Sequence, residues 1–337
     1  MIYPIILAGG TGSRLWPIST KNKPKQFIPL FSNLSLFQIT IKRFDNNNNN
    51  KIKFKKPLIV TNKIYKFLIE EQLKEIKIND YEILEEPVCR DTAPAIALST
   101  NYILKSDKNA IILLIPSDHY LPNVDYFFDI IEKGLKNVSN NIILFGIQPT
   151  KPETGYGYIK KGNLLNNDCY NVLKFKEKPD KEKAIKYIND GNYYWNSGIY
   201  LFTGNNLMNN FKIHCPKIYN QIINLNNNYD GFENIDKISI DYAITEKTKN
   251  IIMVKSNIEW SDIGSWDALW NISDKDNDGN CYEGEIISIN SSNNLIKTNK
   301  KIVSIGLKNL IIVEKEDVIL VLNKENCQDL KKISNLF

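Results

Sequence analysis

Short apolar runs alternate with helical patterns through the first half of the chain, and this alternation constrains the fold more than any other feature. The predicted strands are 2–7, 57–61, 81–84, 110–115 and 141–146, and the predicted helices between them are 36–44, 63–76, 93–104 and 126–138. The apolar runs are continuous and rich in Ile, Leu and Val, which is typical of strands covered by helices on both faces. The pattern therefore predicts a parallel α/β sheet.

The second half of the chain is less regular. We predict strands at 156–160, 172–176, 197–202 and 251–255, and helices at 181–189, 205–211 and 217–226. The polar, turn-forming stretch 274–279 predicts a boundary between a domain over 1–275 and a β module over 280–337. In that module the runs 285–289, 295–297, 302–305, 310–314 and 318–322 indicate a coil of stacked strands or a small barrel. The asparagine tract 46–50 is predicted to extend a surface loop.

The composition excludes several classes of protein. The net charge is +5, and no basic run is interleaved with aromatic residues, so we expect no nucleic-acid partner. The five cysteines form no C-x-x-C pair and are accompanied by only two histidines, which argues against disulfides and structural zinc. Because the chain has neither a signal-peptide pattern nor an apolar run of about twenty residues, we predict a cytoplasmic protein with no membrane contact.

A glycine-rich loop follows the first predicted strand, with the sequence Leu7-Ala8-Gly9-Gly10-Thr11-Gly12-Ser13-Arg14. Glycines expose backbone N–H groups that suit phosphate oxygens, and Arg14 and Lys25 are expected to supply mobile positive charge at the rim. A dinucleotide-binding fingerprint would need glycine where Leu15 stands. A Walker loop would need Lys-Ser/Thr after the glycines, where Ser13-Arg14 stands.

Asp118 is a candidate magnesium ligand, and Asp262 is a second carboxylate in a motif that could carry chemistry. Asp118 follows Pro116-Ser117 at the end of the most apolar strand, in the crevice where the glycine loop is expected. Magnesium commonly combines one or two carboxylates with substrate phosphates. Asp262 lies between two tryptophans just before a predicted helix. Each aspartate could instead cap the turn or helix that follows it.

Other motifs could hold a base and a sugar. The stretch 86–96 joins a strand end to a helix capped by Asp91 or Thr92, where small residues and exposed N–H groups would leave room for a flat base. Around Gly157 the backbone could approach a sugar, Glu177 could bind hydroxyls and Asn196 could read a hydroxyl beside an aromatic wall. A well-capped helix, a glycine-broken strand and a solvated charge run are the structural alternatives.

The order of these motifs closely resembles the sugar-nucleotide pyrophosphorylase family over about residues 1–270. The matching stretches are 7–17, 23–27, 92–96, 116–119, 153–159, 175–179, 195–199 and 260–266. Trp16-Pro17, 92–96 and 260–266 favour the guanylyl branch over the thymidylyl and uridylyl branches. The resemblance implies a nucleotide-diphospho-sugar transferase fold. This fold is a Rossmann-like mixed, mostly parallel sheet flanked by helices, followed by a β module that resembles a left-handed β-helix.

The resemblance also implies an activity: GTP and α-D-mannose 1-phosphate would give GDP-mannose and pyrophosphate, with Mg²⁺ as the cofactor. The implied catalytic residues are Arg14, Lys25 and Asp118, and the implied metal ligands are Asp118 and Asp262. The nucleotide would contact Leu7, Ala8, Gly9, Gly10, Gly12, Ser13, Glu86, Thr92, Ala93, Pro94, Pro116 and Ser117. The sugar phosphate would contact Tyr156, Gly157, Glu177, Lys178 and Asn196.

Two positions depart from the family pattern, and two alternatives stay open. Cys89 stands where glycine is common and Asp91 where asparagine is common, and Asp91 adds a negative charge near the expected base site. The alternatives are a pyrophosphorylase of another sugar nucleotide, such as dTDP- or UDP-glucose, and a non-catalytic regulatory subunit. We also expect a homodimer, and a chain without the phosphomannose-isomerase domain of longer relatives.

Overall fold

The computed structural model describes residues 1–10, 12–45 and 52–333, so the asparagine tract 46–50 lies outside the described residues. The chain forms two compact units. The first comprises Met1–Gly9, Thr40–Ser117 and Leu121–Trp260, and the second comprises Gly10–Ile39, Asp118–Tyr120 and Ser261–Phe337. These units are not the two domains predicted from the sequence, and the domain boundary near residues 275–280 stays a prediction.

A sheet of nine strands forms the centre of the first unit, in the order β3-β2-β1-β4-β8-β5-β9-β7-β6. The strands are β1 Ile2–Leu7, β2 Leu58–Asn62, β3 Glu82–Glu86, β4 Ile111–Pro116, β5 Ile142–Ile147, β6 Tyr158–Asn166, β7 Cys169–Lys176, β8 Tyr193–Thr203 and β9 Ile251–Ser256. Strands β3, β2, β1 and β4 are mutually parallel, and β8 is antiparallel to its neighbours β4 and β5. The predicted mixed sheet is therefore confirmed.

Helices flank the sheet. They are α1 Leu36–Lys42, α2 Lys66–Glu75, α3 Thr92–Ser106, α4 Val124–Leu135, α5 Lys181–Asp190, α6 Gly204–His214 and α7 Pro216–Ile223, and the division between the units falls within α1. Because helices cover both faces of the sheet, successive strand residues such as Ile112 and Leu113 are both fully buried, as is Ile115. This is why the strands appear in the sequence as continuous apolar runs.

The predictions were less accurate after β5. Strand β8 begins at Tyr193 rather than at residue 197, because its first residues pair with β6 as well as with β5. Strand β6 starts at Tyr158 and continues to Asn166, since it forms a hairpin with β7. A π-helical segment, Asp241–Thr245, lies where we predicted no element.

The second unit contains helix α8 and a stack of short strands. Its elements are α8 Trp266–Ile272, β10 Cys281–Glu283, β11 Ile286–Ile289, β12 Leu295–Lys297, β13 Ile302–Ile305, β14 Leu310–Lys315, β15 Val318–Asn323 and α9 Leu330–Ile333. Strands β10, β12 and β14 pair in parallel, as do β11 and β13. The module is thus a β-helix-like coil rather than a barrel, and it contains one strand, β10, that was not predicted.

Buried asparagines link successive turns of this coil. Asn280 Oδ1 accepts a hydrogen bond from the Asn294 backbone N–H at 3.0 Å, and Asn294 Oδ1 accepts one from the Leu310 N–H at 2.9 Å. These side chains satisfy backbone groups in the turns between strands, which would otherwise be buried without partners. Across the described residues, we find no helix with the length and apolar character needed to traverse a membrane.

Candidate functional site

Glu86 ends β3 in the first unit, and it faces the backbone that follows β1. Thr61 Oγ1 donates to Ala8 O at 3.1 Å and the Ala8 N–H donates to Val60 O at 2.8 Å, which holds the chain after β1 against β2. A Cβ on Gly9 would lie 3.2 Å from Glu86 Oε2. Glu86 is 5% exposed, and its Oε1 has no hydrogen-bond partner among the described residues. Gly9 thus leaves room for a buried carboxyl group with unused acceptor capacity.

The surroundings of Glu86 disfavour its charged form. Burial, and next the nearby Asp91 carboxylate, raise the pKa of Glu86 to about 7. A buried carboxyl group that lacks a partner is energetically costly unless a ligand completes it. Titratable groups whose pKa is shifted by burial and by a nearby charge are common at functional sites.

Asp91 caps α3 in a strained backbone conformation. Its φ is 67° and its ψ is −174°, a region that glycine favours, and its Oδ1 accepts from the Thr92 N–H at 2.7 Å. The Ala93 N–H donates to Ile238 O at 3.1 Å, and Thr92 Oγ1 accepts from the Ile240 N–H at 2.8 Å. The expectation of exposed N–H groups at this helix start is therefore wrong, because they are used within the protein. Ala93 and Pro94 are buried, so their contact with a nucleotide stays a prediction.

The ends of β1 and β4 lie side by side. Leu7 pairs with Pro116 in the parallel register, and the Ser117 N–H donates to Leu7 O at 3.1 Å. Ser117 is 1% exposed. The first unit therefore brings the predicted nucleotide residues 7–9, 86 and 116–117 to the carboxyl ends of neighbouring parallel strands, where ligands bind in open α/β sheets.

Three of the residues predicted for the sugar phosphate are brought together in the same unit. A Cβ on Gly157 would lie 2.7 Å from Glu177 Oε2 and 3.3 Å from the Cβ of Asn196. The Asn196 N–H donates to Gly157 O at 2.8 Å. The Tyr156 ring packs edge-on against Trp195 with 5.2 Å between the ring centroids. The glycine is required here because any side chain would collide with Glu177.

Lys178 is held beside this group in a left-handed conformation, with φ 43°. Its N–H donates to Tyr156 O at 3.2 Å, and its Nζ donates to Glu177 Oε1 at 2.7 Å. Burial lowers the pKa of Lys178, but the Glu177 carboxylate more than offsets this, so the net pKa is raised. A charged ammonium is therefore fixed next to a buried carboxylate.

Asp241 and Tyr200 adjoin this group, and neither residue was predicted from the sequence. The Tyr200 hydroxyl donates to Asp241 Oδ1 at 2.6 Å, and Asn196 Nδ2 donates to the same atom at 3.1 Å. Burial, and next the Glu177 carboxylate, raise the pKa of Asp241 to about 7. One signal could have found it: Asp241 is an acidic residue within the apolar pattern that contains Ile240 and Ile244.

From Gly10 onward the glycine loop belongs to the second unit. Gly12 has φ 46°, and a Cβ there would lie 2.8 Å from the Lys25 backbone nitrogen, so only glycine fits. Gln26 Nε2 donates to Gly10 O at 2.8 Å. Arg14 is exposed, and its contact with a phosphate stays a prediction. The Ser13 side chain lies outside the described structure.

Lys25 is buried rather than mobile, which corrects the expectation that it lies at the rim with Arg14. The residue is 8% exposed, and its Nζ lies 3.0 Å from Asp118 Oδ2. The ammonium also donates to the backbone carbonyls of Asp262 and Ile263. Ile263 has φ 46°, which is unusual for a β-branched residue and is a common sign of a functional turn.

Asp118 and Asp262 are both tied to Lys25 and could hold a divalent cation together with substrate phosphates. The Asp118 side chain is 31% exposed. Burial raises the pKa of Asp118. The Lys25 ammonium and His119 lower it by more than burial raises it, so the pKa of Asp118 is below its usual value. Among the described residues no group of three or more His, Cys, Asp or Glu side chains could enclose a metal. Asp262 Oδ1 also accepts from the Gly264 N–H at 3.0 Å. One or two carboxylates are enough for magnesium, which retains waters and phosphates as its other ligands.

Comparisons with known proteins show the family of this chain. The nucleotidyl transferase family model matches residues 3–279, and the MannoseP isomerase/GMP-like beta-helix domain model matches residues 284–335. A mannose-1-phosphate guanylyltransferase of Salmonella montevideo is 41% identical, over 99% of this chain and 73% of its own length. The chain belongs to the mannose-1-phosphate guanylyltransferases, within the nucleotidyl transferase family.

Further relatives support this membership. A mannose-1-phosphate guanylyltransferase of Klebsiella pneumoniae is 38% identical, over 98% of this chain and 73% of its own length. A solved structure from Thermus thermophilus, named as a mannose-1-phosphate geranyltransferase, is 27% identical. It aligns with a TM-score of 0.89 over 99% of this chain and 98% of that chain. The resemblance stated from the sequence is thereby confirmed. Nucleotidyl transferases of this family generally use a divalent metal.

Proposed function

We propose that this chain transfers GMP from GTP to mannose 1-phosphate, forming GDP-mannose and pyrophosphate. The observation that carries the choice of base is the buried Glu86 carboxyl group, whose Oε1 lacks a partner among the described residues. Guanine presents two adjacent donors, N1–H and the 2-amino group, and a carboxylate has two acceptor oxygens with which to bind them. Adenine has an acceptor at N1, so it offers the ionised carboxylate one donor, the 6-amino group, where guanine offers two.

The remaining predicted residues take complementary roles in this proposal. Arg14, Lys25 and the backbone around Gly10 and Gly12 bind the triphosphate. Glu177 and Asn196 bind sugar hydroxyls, and Lys178 binds the sugar phosphate. The phosphate oxygen that attacks the α-phosphorus is already largely anionic, because the second pKa of a phosphate monoester is about 6. The site therefore needs positive charge and alignment rather than a catalytic base.

We further propose that the divalent cation is Mg²⁺ and that Asp118 and Asp262 hold it. When bound, the cation would supply positive charge to offset the repulsion between the two anionic substrates. The protein's own part is to keep Asp118 ionised and to orient both aspartates. The Lys25 ammonium does this for Asp118 through the 3.0 Å ion pair, and it fixes the backbone at Asp262.

The proposal is tested by a grid of nucleoside triphosphates and hexose 1-phosphates, with pyrophosphate release as the measurement. The wild type should prefer GTP with mannose 1-phosphate. Glu86→Gln should lower kcat/KM for GTP by about 10- to 100-fold, because a buried acceptor becomes a donor facing the base. The fall in kcat/KM that Glu86→Gln causes should be smaller with UTP than with GTP.

Glu85→Gln is the matched control for this substitution. Glu85 is the preceding residue of β3 and pairs with Lys66 at 2.6 Å, so its loss should leave base preference unchanged. A wild type that prefers UTP or dTTP with glucose 1-phosphate would overturn the substrate assignment, and a chain that binds GDP-mannose without turnover would be a regulatory subunit.

The metal assignment has a separate test. Chelation should abolish turnover, and added Mg²⁺ should restore it. Asp118→Asn should stay inactive, by about 100-fold or more, at any Mg²⁺ concentration, because an amide is a poor ligand for a hard cation. The control Asp168→Asn removes a surface carboxylate that pairs with Lys133 at 2.7 Å, and it should retain activity. Near-normal rates of Asp118→Asn in saturating Mg²⁺ would remove Asp118 from the metal site.

We also propose that two copies of the chain associate through the β module. Four apolar side chains on the paired strands β11 and β13 are strongly exposed: Ile287 49%, Ile289 49%, Val303 59% and Ile305 64%. An exposed apolar row of this kind is typical of an interaction surface. The cytoplasmic location stays a prediction.

A further inference from the structure

Asn196, Tyr200 and Asp241 form a polar cluster beside the proposed sugar-phosphate residues, and the proposed function does not explain it. Asn196 is 9% exposed and Tyr200 is 3% exposed. Asp241 opens the π-helical segment Asp241–Thr245, a conformation that is rare in proteins and frequent at functional sites. A buried cluster that includes a carboxylate costs desolvation energy, so its arrangement calls for a role.

The hydrogen bonds of this cluster converge on one oxygen atom. Asp241 Oδ1 accepts from the Tyr200 hydroxyl at 2.6 Å and from Asn196 Nδ2 at 3.1 Å. Asn196 Nδ2 also donates to the Tyr200 hydroxyl oxygen at 3.3 Å. Because an amide nitrogen carries two hydrogens, both donors of the Asn196 side chain are used inside the protein.

The carbonyl oxygen of the Asn196 side chain, Oδ1, can still accept a hydrogen bond. It accepts from the Gly198 N–H at 3.3 Å, and a carbonyl oxygen can accept a second hydrogen bond. A carboxylate can only accept, so rotation of the amide by half a turn would bring Asn196 Oδ1 against Asp241 Oδ1. The Asp241 carboxylate therefore decides which end of Asn196 is committed to the protein.

We infer that Asp241 and Tyr200 are positioning residues that turn Asn196 into a hydrogen-bond acceptor for a sugar hydroxyl. The inference rests on the proposed function, in which Asn196 contacts the hexose 1-phosphate. A phosphate group offers acceptors and would need a donor, whereas a hydroxyl can donate to Asn196 Oδ1. Asn196 thus reads the sugar ring and leaves the phosphate to Lys178, whose ammonium adjoins the same cluster through Glu177.

The test uses mannose 1-phosphate and its deoxyfluoro analogues, in which fluorine replaces one hydroxyl and cannot donate. Assays at about pH 8.5 keep Asp241 ionised. In the wild type, kcat/KM for one analogue should fall by about tenfold or more, because its fluorine cannot donate to Asn196 Oδ1. In Asp241→Asn, an amide at residue 241 accepts or donates, so Asn196 can present either end. The penalty for that analogue should then shrink to about threefold or less, while the penalties for the others stay the same.

Two further variants complete the experiment. Tyr200→Phe removes the second acceptor of Asn196 Nδ2 and leaves the Asp241 carboxylate, so it should shrink the same penalty only in part. It also tests the inference if Asp241→Asn does not fold. Thr245→Val removes a hydroxyl that contacts Tyr200 at 3.4 Å but has no hydrogen bond to Asn196 or Asp241, so it should preserve the wild-type penalty.

The outcomes separate the inference from the proposed function. Penalties that are unchanged in Asp241→Asn and Tyr200→Phe, or equal losses for every substrate, would overturn the positioning role. So would a wild type that penalises none of the analogues. The wild-type rate with GTP and mannose 1-phosphate tests the proposed function alone. If another hexose 1-phosphate is preferred, its deoxyfluoro series gives the same test.

Discussion

Glu86 shows how much of a residue's character depends on its neighbours. In the sequence it is the second of two adjacent glutamates at the end of a predicted strand. In the structure Glu86 is buried and faces Gly9, while the Glu85 carboxylate forms an ion pair with Lys66. The alternation of a strand places the two side chains on opposite faces of the sheet, and burial then raises the pKa of Glu86.

This perturbation predicts how stability depends on pH. The pKa of Glu86 in the folded protein is raised from 4.5 to about 7, so folding favours the protonated form. Its contribution to stability is fully present below pH 4.5 and is lost as the pH rises through about 7. Relative to Glu86→Gln, the wild type should therefore lose up to about 3 kcal/mol of unfolding free energy between pH 5 and pH 8.

Denaturant titrations across this pH range measure the difference. Asp91→Asn keeps the acceptor that caps Thr92 but removes the negative charge beside Glu86, so the loss should be smaller and should be complete at a lower pH. An equal pH dependence in the wild type and in Glu86→Gln would contradict the raised pKa.

At the scale of an element, the loop after β1 shows that its glycines are not equivalent. Gly12 has a positive φ and its missing side chain makes room for the Lys25 backbone, whereas a Cβ on Gly10 would have no atom within 4 Å. The sequence motif suggested one purpose for all of them, namely exposed N–H groups. In the structure, the missing side chain of Gly12 also allows the loop to pack closely against the segment that contains Lys25.

The two glycines therefore form a matched pair of substitutions. Gly12→Ala should destabilise the protein by about 1–3 kcal/mol, through the strained φ and a collision with backbone that cannot move aside cheaply. Gly10→Ala should change stability by less than about 0.5 kcal/mol. Thermal unfolding measures both, and equal effects would contradict the close approach between Gly12 and Lys25.

At the scale of the whole molecule, the proposed association through the β module predicts the oligomeric state. Sedimentation should give about twice the chain mass of 38.9 kDa. Val303→Lys places a charge in the exposed apolar row of β11 and β13 and should yield monomers, because burying an unpaired charge at an interface is costly. Ile319→Lys is the control, since Ile319 is similarly exposed, at 58%, but lies on β15. A monomeric wild type would contradict the proposal.

Sequence alone determined the parts of this protein that depend on local pattern. The apolar periodicity located the strands of the parallel half of the sheet to within about two residues, because continuous apolar runs are needed wherever both faces are covered. The order of the motifs identified the family, and the comparisons confirmed it. The family resemblance also predicted that Gly157, Glu177 and Asn196 belong to one site, because it assigned all three residues to the sugar phosphate.

Only the tertiary structure decided which side chains are buried and which donors and acceptors are already used. It showed that Lys25 is enclosed by Asp118 and two carbonyls, that the N–H groups at the start of α3 are occupied, and that Asp241 completes the group around Asn196. Each of these facts depends on contacts between residues far apart in sequence. Local periodicity cannot contain them, because burial and hydrogen bonding are set by the residues that the fold brings together.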